Sequence, residues 1–392
     1  MLPLEGIKVV SLEQAVAAPF ASRQLADLGA RVIKIERPKV GDFARYYDQT
    51  VNGMSSHFVW LNRSKESLTL DLKADSGKTL FTDLVKDADV VIQNLAPGAM
   101  NRLGFSHQEL HDINDALIIC NISGYGSYGS YVSKKAYDLL IQCEAGVLSI
   151  TGTEDAPSKA GISVADIAAG MYAYSGILSS IIKRSQTGKG DVLDISMLEA
   201  LGEWMGYPMY YSMYGDTEPK RTGAQHATIY PYGPFPTQSG ETVFFAIQNE
   251  REWTNFCKKV LNQPDLATDD RYNSNSKRVE NKEPLKLIIE QALQQRNLDE
   301  VMQDLEDNKI ANAQLKNMNQ FADHQQLKER ERWMDVETPV GNIKSLLPPA
   351  IQNKQDMKLS PIPDIGQHTR QILGELNLTE AKIDQLKAEH II

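Results

Sequence analysis

The segment Gly161-Ile-Ser-Val-Ala-Asp166-Ile-Ala-Ala-Gly170 sets one carboxylate among small apolar residues where a loop turns into a helix. Two roles suit a carboxylate there. It caps the helix by accepting backbone N–H bonds, the ordinary role for Asp at a helix start. Alternatively it attacks an electrophilic carbonyl, which needs the uncrowded backbone that Ala and Gly provide. Other familiar chemistries leave no trace. The turn after the first apolar run reads Glu13-Gln-Ala-Val-Ala-Ala-Pro19 and holds no GxGxxG, which disfavours a dinucleotide site. No GxxxxGK(S/T) loop and no GxSxG elbow occurs. Cys120, Cys143 and Cys257 have no CxxC spacing, and the seven histidines are scattered without HxH spacing, so neither a disulfide framework nor a metal site is expected.

The elements that must position Asp166 follow from periodicity. Short apolar runs at Ile7 to Leu12, Val32 to Ile35, Val90 to Gln93 and Leu117 to Ser123 alternate with helical patterns at Pro19 to Leu28 and Lys78 to Lys86. Strands separated by helices of this length indicate βαβ units and a parallel sheet covered on both faces, so the fold class is α/β. Residues 136–148 and 165–183 read as helices, the second rich in Ala, Gly and Ser that let it pack closely, and Asp191 to Ser196 reads as a further strand. From Arg221 to Phe235 the composition shifts to Gly, Pro, Tyr and His, and that shift marks a domain boundary.

The chain has 392 residues, 42% of them apolar and 23% charged, enough for two domains of a globular protein. The formal net charge of −10 argues against a nucleic-acid surface. No run of about 20 apolar residues is visible, so no membrane span is expected. The start, Met1-Leu-Pro-Leu-Glu-Gly-Ile-Lys, enters a strand almost at once, which places the protein in the cytoplasm as an expectation.

The Asp166 segment stands in a series of others. Pro3-Leu-Glu-Gly-Ile-Lys-Val-Val10, Ala18-Pro19 and Leu25-Ala-Asp-Leu-Gly-Ala-Arg-Val-Ile-Lys-Ile-Glu-Arg-Pro38 lead to Gly41-Asp42. Asn62-Arg-Ser-Lys65, Leu70-Asp-Leu-Lys73, Gln93-Asn-Leu-Ala-Pro-Gly98 and Leu103-Gly-Phe105 follow. In this order the chain resembles the family III CoA-transferases over nearly its whole length. The resemblance implies a doubly wound, Rossmann-like large domain from residues 1–220 and 331–392, a smaller α+β domain from 221–330, and an interlocked homodimer. It implies Asp166 as the nucleophile, acting through a mixed anhydride and an aspartyl-CoA thioester. Acyl-CoA is then substrate, and no tightly bound cofactor is expected.

Coenzyme A carries a pyrophosphate and a 3′-phosphate, so an acidic chain must meet it with a local cluster of cations. By resemblance that cluster is Arg37, Arg102 and Lys135, with Leu70, Asn94, Leu95 and Met100 beside it. The same fold hosts acyl-CoA racemases, the alternative reading. In that branch a His-Asp pair sits near residue 137, whereas here the run is Lys135-Ala-Tyr-Asp138, and the imidazole that would shuttle a proton is missing. Tyr137 is left to orient substrate or simply to pack. Val16 stands where the formyl-CoA transferase branch has Gln, and Gly223-Ala-Gln-His226 replaces its run of glycines. Gly223 to Phe235 and Ala246 to Trp253 are instead similar to the transferases of C4 and C5 dicarboxylates, with succinyl-CoA as donor and itaconate, mesaconate or citramalate as acceptor. Arg221, His226 and Arg251 are the candidates for the acceptor's far carboxylate, and Gln14 is a candidate wall residue.

Overall fold

The computed structural model describes all residues except Asp216, Thr217 and Ser239. Six parallel strands form one sheet: β1 (Lys8–Leu12), β2 (Arg31–Glu36), β3 (Lys65–Thr69), β4 (Val90–Gln93), β5 (Ile118–Ser123) and β6 (Asp191–Ser196). Their order is β3-β2-β1-β4-β5-β6, with Val10 in register with Ile33 on one side and Val91 on the other. Strand order therefore reverses between β1 and β4. In such sheets the loops leaving the two strands splay apart there, and a ligand crevice opens at their carboxyl ends.

The apolar runs expected of a sheet covered on both faces are found in β1, β2, β4 and β5, which are almost wholly buried. On one face Val10, Leu12, Ile33, Ile35, Val91 and Ile119 pack with Leu80, Phe81 and Leu84 of helix α2 (Asp75–Lys86) and with Ile372 and Leu373 from Thr369–Glu375, the second-last helix of the chain. The tail thus returns to close the first domain.

On the other side, helix α1 (Ala17–Asp27) packs along the helix that carries Asp166, and a short helix α3 (Asp138–Glu144) precedes the latter. The Asp166 helix, α4, runs Val164–Thr187, with Ala165, Ala168, Ala169, Gly170 and Ala173 buried. The small residues are needed: a Cβ added at Gly170 would lie 2.7 Å from the Ala17 carbonyl oxygen. By length and composition alone α4 is apolar enough to cross a membrane, a property that the core helix of a soluble protein shares. Ala and the larger apolar residues raise its hydropathy, while Ala and Gly give it the narrow face that packs on α1.

The chain divides into two units. The first comprises Met1–Gly146, Ala160–Gly206 and Glu329–Ile392; the second comprises Val147–Lys159 and Tyr207–Lys328. The second therefore starts ahead of Arg221 and takes in a segment from earlier in the chain. Hydrogen bonds explain this. Arg221 donates from Nε to the Thr153 carbonyl and from Nη2 to the Glu154 carbonyl, both at 2.8 Å, and Gly223 N donates to Gly152 O at 2.8 Å. The second unit is built on an antiparallel sheet, β7 (Tyr232–Pro236), β8 (Thr242–Ala246) and β9 (Ala311–Gln314), whose core holds Phe235, Phe245, Trp253, Phe256, Ile289 and Leu305.

Candidate active site

At the reversal point the loops leaving β1 and β4 are tied to each other. Gln14 N donates to Asn94 Oδ1 at 2.8 Å, and Asn94 Nδ2 donates back to Gln14 O at 2.9 Å. Gln14 Oε1 accepts from Phe43 N at 3.2 Å, and Ala15 adopts a left-handed φ of 63°. Beneath this turn lies a fully buried charge cluster. Glu13 Oε1 accepts from Lys65 Nζ at 2.6 Å and Lys34 Nζ at 3.2 Å, while its Oε2 accepts from the hydroxyls of Ser11 and Ser22. Lys34 Nζ also reaches Asp42 Oδ2 at 2.7 Å. Burial alone would push the Glu13 carboxyl up, but the ammonium groups of Lys65 and Lys34 override it and hold the carboxyl at about 2. Burial pulls the Lys65 amine down to about 7 against the opposing charge of Glu13; its further contacts, to Pro19 O and Asn62 Oδ1, complete the three acceptors of a charged ammonium and favour that form.

Asp166 is treated in the opposite way. It is half-buried in the first turn of α4, and among the described residues no group donates a hydrogen bond to its carboxylate. The capping role open to it in the sequence is filled by another residue. Asp138, at the start of α3, accepts from Ala165 N at 2.8 Å and from Asp166 N at 3.4 Å. Gln142, one turn along α3 and wholly buried, holds Asp138 Oδ2 at 2.7 Å and accepts from Ala160 N at 2.8 Å, which secures the loop entering α4. Desolvation, and after it the charge of Asp138, push the Asp166 carboxyl up to about 7. Tyr47 belongs to the same surroundings: burial, then the charges of Asp42 and Asp166, push its hydroxyl up to about 12. A carboxylate that is desolvated, unpaired and spared from capping keeps its lone pairs free for attack on a carbonyl.

The sequence candidates fall into three groups. Gln14, Val16, Asn94 and Leu95 lie at the reversal point, but Val16 is buried as the residue before α1 and presents little surface, and Leu95 N is held by Gln93 Oε1 at 2.8 Å. Arg37 follows β2, Arg102 donates to Pro97 O at 3.0 Å, and Lys135 and Tyr137 precede α3, all four with exposed side chains. Leu70 and Met100 pack in the core beside α2, so neither offers a side-chain surface to a ligand. Arg221, His226 and Arg251 lie in the second unit. Arg221 is a strut between segments of that unit. The His226 ring stacks on Tyr232 with centroids 5.0 Å apart, and its Nδ1 accepts from Thr228 N. Arg251 is exposed and has no partner among the described residues.

Sequence reasoning passed over Glu13, Asp42, Tyr47, Asp138 and Gln142. Glu13, Asp42 and Asp138 all stand inside motifs given above, but their partners come from other segments of the chain, and local sequence carries no signal of those contacts.

The chain is similar to known proteins over nearly its whole length. Residues 4–369 match the model of CoA-transferase family III. A Mus musculus protein named succinyl-CoA:glutarate CoA-transferase is 32% identical over 398 aligned residues, covering 100% of the chain and 91% of that protein. The succinate–glutarate CoA-transferase of Agrobacterium fabrum is 31% identical, covering 96% of each chain. The acetyl-CoA:oxalate CoA-transferase of Acetobacter aceti is 36% identical over 293 residues, covering 74% of the chain and 75% of that protein. Among solved structures, a CAIB/BAIF family protein from Brucella suis superposes with a TM-score of 0.86 at 32% identity, covering 96% of the chain and 99% of that protein.

Proposed function

Since the chain belongs to CoA-transferase family III and acts on CoA thioesters, we propose that it moves CoA from succinyl-CoA to a C4 or C5 dicarboxylate, with Asp166 as the nucleophile. The observation that carries this reading is the Asp166 carboxylate itself, held at about 7 with no donor from the described residues while Asp138 caps its helix.

In the first step an Asp166 carboxylate oxygen attacks the thioester carbonyl; the C–S bond breaks, leaving a mixed anhydride and CoA thiolate. The thiolate attacks the aspartyl carbonyl and expels succinate, which gives the aspartyl-CoA thioester. The acceptor carboxylate then attacks that carbonyl, releasing the thiolate and forming a second anhydride. Attack of the thiolate on the acceptor's own carbonyl yields the new acyl-CoA and restores Asp166. No net proton is moved, so the site needs a desolvated nucleophile more than it needs an acid or base.

Glutarate, which appears in the names of two relatives, joins itaconate, mesaconate and citramalate as acceptors to be tried. Arg251, exposed and unpaired among the described residues, is the better candidate for the far carboxylate, because two donors of Arg221 are already committed. An interlocked homodimer is part of the same proposal. It draws support from helix Gly206–Tyr214, where Tyr207 is 74% and Tyr214 78% exposed, a concentration of aromatic surface suited to burial against a second copy.

The test is succinyl-CoA offered to glutarate, itaconate, mesaconate, citramalate, oxalate and formate, with native protein and with Asp166→Asn. Acid-dependent formation of a new acyl-CoA, reduced at least about 10³-fold in the variant, is the expected result. A CoA adduct on the peptide containing Asp166, seen by mass spectrometry, should accompany it. Unchanged exchange in Asp166→Asn would sink the mechanism.

A further inference from the structure

Asp42 is a fully buried carboxylate that joins three pieces of the first unit. Its Oδ1 accepts from Ala15 N at 3.1 Å, in the turn between β1 and α1, and from Ala44 N at 2.9 Å, at the start of the short helix Phe43–Tyr46. Its Oδ2 accepts from Lys34 Nζ on β2. The turn needs this restraint. Ala15 holds a φ of 63°, a conformation that residues with a Cβ adopt rarely and keep only when their surroundings over-determine it. Its neighbour Gln14 is fixed through Asn94 and through Phe43 N, the residue after Asp42. The turn runs directly into Ala17, whose carbonyl lies against Gly170, one turn along α4 from Asp166.

We infer that Asp42 is a positioning residue for CoA transfer, holding the Gln14–Val16 turn in its left-handed form beside the first turns of α4. This rests on the reading of Asp166 as nucleophile. Asp42 touches no reacting atom; it acts through the backbone of Ala15 and, through the helix that begins at Phe43, on the placement of Tyr47. The hydroxyl of Tyr47 senses the charges of both Asp42 and Asp166, which puts the two carboxylates in one electrostatic neighbourhood.

Removing Asp42 alone would strand the buried Lys34 ammonium, so the experiment removes both charges. In Lys34→Met/Asp42→Asn the side-chain oxygen can still accept from Ala15 N; in Lys34→Met/Asp42→Leu it cannot. Glu13 keeps Lys65 in either case. Two readouts are taken, amide exchange of residues 13–17 and steady-state transfer from succinyl-CoA.

In the Leu variant, amide exchange in the turn should accelerate about 100-fold while the rest of the first unit stays protected. Its kcat should fall about 100-fold, the scale of a misplacement of roughly 1 Å, with KM for the thioester changing less than about threefold. The Asn variant should recover most of both losses. Equal exchange or equal kcat in the two variants overturns the proposal.

The native protein supplies a check that needs no variant to fold: an Ala15 amide exchanging as freely as an exposed loop overturns it as well. Amide exchange does not depend on the chemistry, so the outcome for Asp42 is separable from that for the nucleophile. Retained transfer in Asp166→Asn would refute the nucleophile and leave the exchange data to judge the turn.

Discussion

Glu13 and Asp166 are two carboxylates of the same unit, and the fold treats them in opposite ways. Glu13 is wrapped by two ammonium groups and two hydroxyls, and its carboxyl is held at about 2. Asp166 receives no hydrogen bond from the described residues, and its carboxyl is pushed up to about 7. A carboxylate with every lone pair engaged is fixed structure, because any reaction would first have to break its bonds. One that is desolvated without compensation destabilises the fold, and such a group persists where its reactivity is used. The contrast predicts that the two residues carry opposite signs in stability.

The largest effect should come from Glu13→Gln. It leaves Lys65 and Lys34 short of their shared counter-charge in a dry interior, where breaking a buried pair costs about 3–5 kcal/mol. The pH dependence follows from the shift. The folded carboxyl lies at about 2, below its ordinary 4.5, so the native state binds fewer protons than the unfolded chain between those values. Its contribution is fully present above pH 4.5 and is lost as the pH falls through about 2. Denaturant unfolding of Glu13→Gln and native protein at pH 7 should show the whole difference. Equal midpoints there would erase the distinction between the two carboxylates from the structural side.

Asp166→Asn should move stability the other way. The folded Asp166 carboxyl lies at about 7, above its ordinary 3.8, so between these values the native state binds more protons than the unfolded chain, and native stability falls as the pH rises through that window. Asparagine has no such dependence. The variant should therefore match the native protein near pH 4 and exceed it at pH 8. The full linkage of a three-unit shift would be roughly 4 kcal/mol; partial exposure of the side chain reduces the expected gain to about 1–3 kcal/mol. Thermal unfolding at the two pH values measures this, and a variant less stable than native at pH 8 would show that Asp166 has partners.

Much of the sheet was legible in the sequence, because β1, β2, β4 and β5 are buried on both faces and read as short apolar runs, broken only at Ser11, Lys34 and Asn121. Strand β3 was hidden. Lys65-Glu-Ser-Leu-Thr69 carries little apolar pattern, since Lys65 and Ser67 turn inward to Glu13 and Glu36. The helix expected over 136–148 stops at Glu144, and after Gly146, whose φ is 80°, the chain leaves for the second unit. Asp166 was visible as a carboxylate on a small-residue helix, but its freedom was not. Whether it capped that helix depended on Asp138, 28 residues earlier, and local pattern carries no record of that contact. Glu13 was visible only as part of a turn lacking glycines, for its four partners come from β1, α1, β2 and β3.

Asp138 offers the finest adjustment of the contrast, because it acts on Asp166 in two separable ways. Its charge is the second cause, after desolvation, of the raised Asp166 carboxyl, and its Oδ1 caps α4 at Ala165 N. Asp138→Asn keeps an acceptor for Ala165 N and removes only the charge. Transfer requires the Asp166 carboxylate, so native kcat/KM should rise about tenfold per pH unit below pH 7 and level off above it. In Asp138→Asn that midpoint should move to lower pH by about one unit, with a plateau within roughly threefold of native. A midpoint that stays in place would assign the whole shift to desolvation. A collapsed plateau with an unmoved midpoint would mean that Asp138 matters as a cap and that its charge does not reach the nucleophile.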